Sequence, residues 1–192
     1  METEFGTYEV KIEKYSSDDD FNGLTCEKWS QGDNLHRIGK PALIVRDEEG
    51  NEVLNEYYCR GQLHREDGAA RISTNVLRIE EWYIDGLLHR ENAPAHISTE
   101  LSTSIISDEK WYQHGELHRA GGEPAVLSRW PGSGVLVFEQ WWENGKPHRI
   151  GNPAMITRDD HTGEIEEARW FENGVKTSPN KNTPPVRDHF EP

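Results

Sequence analysis

The chain has 192 residues, with 35 acidic against 21 basic side chains and a formal net charge of -14. A protein that grips a phosphate backbone carries a basic stripe, because phosphate contacts and counterion release supply most of the affinity, so direct nucleic-acid binding is disfavoured. Apolar residues make up 33% and the mean hydropathy is -0.88, below the globular norm of roughly 45–50% apolar, which excludes a thick two-layer core.

In residues 1–23, Tyr8, Val10 and Ile12 alternate with Glu9, Lys11 and Glu13, which predicts a strand capping the first sheet edge. An acidic solvated loop is expected at residues 16–20. Residues 24–176 carry the main signal, an internal repeat. His-Arg occurs at His36-Arg37, His64-Arg65, His89-Arg90, His118-Arg119 and His148-Arg149, with His-to-His steps of 28, 25, 29 and 30. Aromatic pairs precede the last four, at Tyr57-Tyr58, Trp82-Tyr83, Trp111-Tyr112 and Trp141-Trp142, always seven residues from first aromatic to His. Trp170-Phe171 begins a sixth, incomplete copy. A Pro-Ala or Ala-Ala step follows each His-Arg, at Pro41-Ala42, Ala69-Ala70, Pro94-Ala95, Pro124-Ala125 and Pro153-Ala154.

Between aromatic pair and His stands a two-residue turn signal ending in Gly61, Gly86, Gly115, Gly145 or Gly174. Asx-Gly between apolar runs predicts a type I′ hairpin turn, which sets the register. Ile84 then opposes Leu87, Tyr83 opposes Leu88, Trp82 opposes His89 and Glu81 opposes Arg90. Trp82 and His89 fall on one face, with Tyr83, Leu88, Glu81 and Arg90 on the other. The first copy, from Lys28 to Asn34, reads as carrying one extra residue, hence a bulge or a capping role. Each Pro-Ala step starts another extended run that returns through loops at 47–51, 130–134 and 159–163. Every period therefore holds two main strands, and the expected fold is all-β: an elongated, twisted, single-layer antiparallel meander of hairpin repeats. Residues 177–192 are proline-rich and read as a cap or tail, since proline denies backbone donors to further pairing. Cys26 and Cys59 stand alone without CxxC spacing, which suits a reducing cytosol. No apolar stretch is long enough for a membrane span or signal segment.

The order aromatic-x-x-[ND]-G-x-x-H, matched at Gly61, Gly86, Gly115 and Gly145 and at His64, His89, His118 and His148, resembles the MORN repeat, a hairpin module of about 23 residues. Arg in place of the Gly that usually follows His, the added Pro-Ala step and the longer period resemble a divergent, long-period MORN-like group found in bacterial, phage and large-virus proteins. The resemblance implies a scaffold or binding module associated with protein interaction, dimerisation or anionic-lipid contact, and it carries over no catalytic residue.

Five equivalent His invite a metal reading, yet equivalent positions two strands apart lie about 9.5 Å from each other, too far to share an ion. The expected role is structural, with the imidazole packed on the opposed aromatic and bonded to a backbone carbonyl. Structural repeat positions are thus Trp82, His89, Arg90, Trp111, His118, Arg119, Trp141, His148 and Arg149, with the turn residues Gly86, Gly115 and Gly145. The arginines could form an anion-holding column or pair with cross-strand carboxylates, Glu56 with Arg65 and Glu81 with Arg90. Lys110 and Gln140 face Arg119 and Arg149 in this register, which leaves Arg119 and Arg149 as the better candidates for an anion or partner. The hairpin at 130–138 is unusually apolar for a tip, so Trp130, Val135 and Phe138 are candidates for protein binding, against simple packing between repeats. Asp159-Asp160-His161 reads as a solvated loop. No nucleophile elbow, P-loop, dinucleotide fingerprint or zinc-protease motif occurs. The expectation is a non-enzymatic protein-binding module without metal or cofactor, an inhibitor or adaptor in the cytoplasm of a bacterium or virus-infected host cell. The alternatives are an acidic mimic of nucleic acid blocking a basic enzyme and an anionic-lipid scaffold. A homodimer through unpaired sheet edges stays open.

Overall fold

Short apolar runs bounded on both sides by turn residues leave no segment with helical period, and strands are what remains. The computed structural model describes residues 7–14 and 23–178; the expected acidic loop at 16–20 and all of the C-terminal segment after Ser178 lie outside the described residues. Among the described residues there are 22 strands and no helix. The long strands follow one another in chain order through a single antiparallel sheet, with Glu9–Lys14 at one edge and Val175–Thr177 at the other. The fold is the expected open, single-layer meander; Val10 and Ile12 lie in the edge strand Glu9–Lys14, and Tyr8 precedes it.

One period shows how it is built. Arg71–Thr74 and Leu77–Glu81 are paired neighbours in the sheet, and Leu77–Glu81 pairs on its other side with His96–Glu100. Between Glu81 and His96 the chain leaves the sheet and forms a separate two-stranded ribbon, Tyr83–Ile84 with Leu87–Leu88. Equivalent ribbons pair Tyr58–Cys59 with Gln62–Leu63, Tyr112–Gln113 with Glu116–Leu117, and Trp142–Glu143 with Lys146–Pro147. The meander's own hairpins close at the opposite strand ends. The repeat thus has two turns of different kind on two lateral edges of one sheet.

The type I′ register holds within the ribbons: Tyr83 opposes Leu88, Ile84 opposes Leu87, and the His89 N–H donates to the Trp82 carbonyl at 3.0 Å. Asp85 and Gly86 have φ of 48° and 77°, as this turn requires of both central residues. The register fails one residue further out. Glu81 does not oppose Arg90 but lies between Arg71 and His96 in the sheet, because the chain turns away at Trp82. Glu56 likewise lies opposite Leu43 and Arg71, and not Arg65. Lys110 stands between His96 and Val126, and Gln140 between Val126 and Met155, so neither faces Arg119 or Arg149. The first copy has no extra residue either: Trp29 to His36 is the same seven-residue step. Its turn is Gly32-Asp33, with positive φ at Gly32 (58°) and not at Asp33, the type II′ pattern. Bulges occur instead at the outer strand ends, at Val45/Arg46, Ser98/Thr99, Ser128/Arg129 and Thr157/Arg158.

Where each ribbon begins, the first aromatic N–H bonds to the carbonyl of the Ala in the next strand, as Trp82 does to Ala95 at 2.9 Å. Ala42, Ala70, Ala95, Ala125 and Ala154 are each 0% exposed, so a methyl is all the site admits. On the same face the row across the sheet runs Glu27, Ile44, Asn55, Ile72, Glu80, Ile97, Glu109, Leu127, Glu139 and Ile156, so that every position but Asn55 follows a Glu-apolar alternation. Arg46, Arg129 and Arg158 bind Glu27, Glu109 and Glu139 at 2.8, 2.7 and 2.9 Å. Thr99 takes the Arg position after Glu80, and there Arg78 supplies the cation at 2.9 Å. Internal pairing thus neutralises a row that composition alone reads as an acidic surface. A buried apolar cluster is formed by Trp141, Ala154 and Ile156, with Ile165 and Phe171 packed against it.

Candidate interaction surfaces

The His-Arg dipeptides sit at the base of the ribbons, and each residue has one job. The His imidazole Nδ1 accepts from the first turn residue of the following ribbon: Arg60 to His36, Asp85 to His64, His114 to His89 and Asn144 to His118 at 3.2 Å, and Asn173 to His148 at 3.0 Å. The turn glycine's N–H reaches back in parallel, Gly86 to the Leu63 carbonyl at 2.8 Å and Gly115 to that of Leu88 at 2.8 Å. The imidazole partner is a backbone N–H and not the backbone carbonyl expected from the sequence. An accepting Nδ1 places the ring proton on Nε2.

The aromatic face expected to carry the imidazole carries the arginine. The guanidinium carbons of Arg37, Arg65, Arg90, Arg119 and Arg149 lie 3.6, 4.0, 3.8, 3.9 and 3.6 Å from the ring centroids of Trp29, Tyr57, Trp82, Trp111 and Trp141. Each also donates Nη1 to a carbonyl in the Pro-Ala step, Arg119 to Pro124 at 2.9 Å and Arg149 to Pro153 at 3.2 Å. Burial pushes the pKa of Arg90 and of Arg149 down from the ordinary range. Arg119 and Arg149, singled out for an anion or partner, are therefore committed to the frame on one ring face and one carbonyl each.

A polar band crosses the middle of the other sheet face, and motif reading missed it. Arg71 is ion-paired with Glu56 and Glu81, both at 3.1 Å, and Glu81 meets His96 Nδ1 at 3.0 Å. His96 Nε2 lies 3.1 Å from Ser98 Oγ, and the Tyr58 hydroxyl donates to Glu56 at 2.9 Å. The His96 hydrogen bond, helped by Arg71, holds the Glu81 carboxyl below its usual range, while burial pushes Tyr58 up to about 12. Glu81, His96 and Ser98 have the order of a hydrolase triad, but Ser98 is 4% exposed and its strand is paired on both sides, which offers a substrate neither access nor a free oxyanion donor. The legible signal was departure from the repeat: Arg71 and His96 stand where Leu43, Val126 and Met155 stand in the other copies.

The opposite lateral edge, where the meander turns, also exposes apolar side chains, as the ribbon edge does at Ile38, Leu87 and Ile150. Val76, Leu101, Ile106 and Trp130 are 76, 48, 39 and 48% exposed. Trp130 and Val135 are brought together, the Trp130 N–H donating to the Val135 carbonyl at 2.8 Å. The Glu100 carboxylate accepts from the Gly132 N–H at 3.0 Å, tying this loop to the one before it. Phe138 sits inside the sheet between Ser128 and Thr157, part-buried. The candidates thus divide: Trp130 and Val135 on the rim, Phe138 in the sheet, Arg119 and Arg149 at the far strand ends.

Asp159, Asp160 and His161 bring their ligand atoms within 4.8 Å, the one such group among the described residues. Asp159 Oδ1 already accepts from the N–H groups of His161 and Thr162 and from the Thr162 hydroxyl, so it serves the turn. No helix among the described residues is long and apolar enough to cross a membrane. In comparisons with protein-family models, curated proteins and solved structures, the chain matches none.

Proposed function

We propose that this protein is a non-enzymatic, MORN-like interaction module whose ribbon-braced sheet holds an apolar loop rim for a protein partner, as an inhibitor or adaptor. The observation that carries the reading is Trp130, 48% exposed at a tip whose backbone is fixed by its own hairpin bonds and by Glu100. An exposed Trp on an ordered loop is the side chain that supplies hot-spot energy at low ordering cost. Leu101 and Val76 extend the patch along the rim. Two free cysteines, Cys26 and Cys59, fit a reducing cytoplasm in a bacterium or infected cell. The mimic of nucleic acid keeps the net charge of -14, but the row Glu27, Glu80, Glu109 and Glu139 adds nothing to it, since each binds an arginine of the chain. The anionic-lipid scaffold loses its cationic column to the aromatic stacks.

The test is capture from nuclease-treated lysate at low and high salt, with the wild-type chain and Trp130→Ala side by side. A stoichiometric protein held by the wild type at high salt, and lost by a variant that melts normally, supports the rim. Equal capture by both chains removes it, and a partner released by salt alone favours the mimic.

A further inference from the structure

The sixth copy ends the array unlike the five before it. Trp170 stands opposite Thr177 in the ladder Glu172–Val175, Phe171–Lys176, Trp170–Thr177. Thr177 and Ser178 therefore occupy the positions that His-Arg holds elsewhere. Loss of the Arg leaves the aromatic without its cation. In the five complete copies a guanidinium lies 3.6–4.0 Å from the ring centroid. Among the described residues no cation lies over Trp170 and its indole N–H, shielded from water, has no acceptor, while the side chain as a whole is part-exposed. Strand alternation puts Glu172, an exposed carboxylate, on the same side two residues on.

We propose that Trp170 receives an arginine side chain from a basic segment of a partner protein. The guanidinium stacks on the indole as the chain's own arginines do in every complete copy, and the Glu172 carboxylate supplies the counter-charge. A planar guanidinium fits such a face better than an ammonium does, and a net charge of -14 draws a basic segment toward it. The site belongs to the ribbon edge and does not depend on the Trp130 rim.

The test is a titration of the ¹⁵N-labelled full chain with acetyl-Gly-Arg-Gly-amide and its lysine counterpart. The cross-peak of the Trp170 indole N–H is assigned by its loss in Trp170→Phe. The expected result is a saturable shift with the arginine peptide, several-fold weaker binding of the lysine peptide, and an unchanged titration in Trp130→Ala. Ser178→Arg restores the cation within the chain; it is expected to abolish the response and raise the melting temperature by about 1–3 °C. A wild-type cross-peak that does not shift saturably overturns the proposal. So does a Ser178→Arg variant that binds the peptide as tightly as the wild type.

Discussion

The two lateral edges of the sheet obey different rules. On the ribbon edge the seven-residue step from aromatic to His never varies, and each ribbon is fastened to the next through one imidazole and one carbonyl. On the loop edge the turns differ in length and four of them carry bulges. The step of 25 between His64 and His89 is the shortest because Thr74 and Leu77 are joined by only two residues. One edge has its geometry dictated by its neighbours. The other is free to change length and composition without disturbing the stack, which is where a recognition surface can diverge.

Substitutions of similar chemistry on the two edges should therefore behave differently. Trp141→Ala, at a side chain 6% exposed and packed on Ala154 and Ile156, is expected to cost about 3–5 kcal/mol in thermal or denaturant unfolding. Trp130→Ala on the rim should stay within about 0.5 kcal/mol of wild type; comparable losses would erase the distinction. Gly86→Val, at φ 77°, forces a β-branched residue into the left-handed region and should cost about 1–3 kcal/mol. His89→Ala removes the acceptor of the His114 N–H at an exposed turn and should cost about 0.5–1.5 kcal/mol, with accelerated amide exchange at His114 reporting the broken cap.

Between the edges, the polar band gives the smallest and most conditional effect. The folded-state pKa of Glu81 is depressed, so its contribution is full above the ordinary carboxylate range and fades as pH falls through the depressed value. Urea unfolding between pH 7 and pH 3 should show stability falling toward acid, less steeply in Glu81→Gln. Identical slopes would show that other carboxylates carry the dependence. Glu27, lowered first by the Trp29 indole N–H and then by Arg46, is the next candidate.

Much of this was legible because the period is strict. Aromatic, glycine and His at constant spacing yielded the turn, the ribbon register and the all-β meander. What was not legible is where the chain leaves the sheet. A strand that continues and a strand that breaks into a separate ribbon share the same alternation, and pairing Glu81 with Arg90 follows only if the strand continues through Trp82. The five alanines at 0% exposure are the structural mark of that break. In the sequence they read only as a small apolar step. The Glu56, Arg71, Glu81 and His96 band escaped for the opposite reason, since a consensus suppresses the positions at which single copies differ.

The direction of the imidazole caps has a bearing on how the chain is made. Every His completes a turn that lies later in the sequence, and none depends on a later copy for its own turn. A nascent chain emerging from the ribosome thus always presents a finished acceptor to the ribbon being synthesised. Ordering can proceed by local additions in step with translation, without a long unpaired stretch waiting for a distant partner.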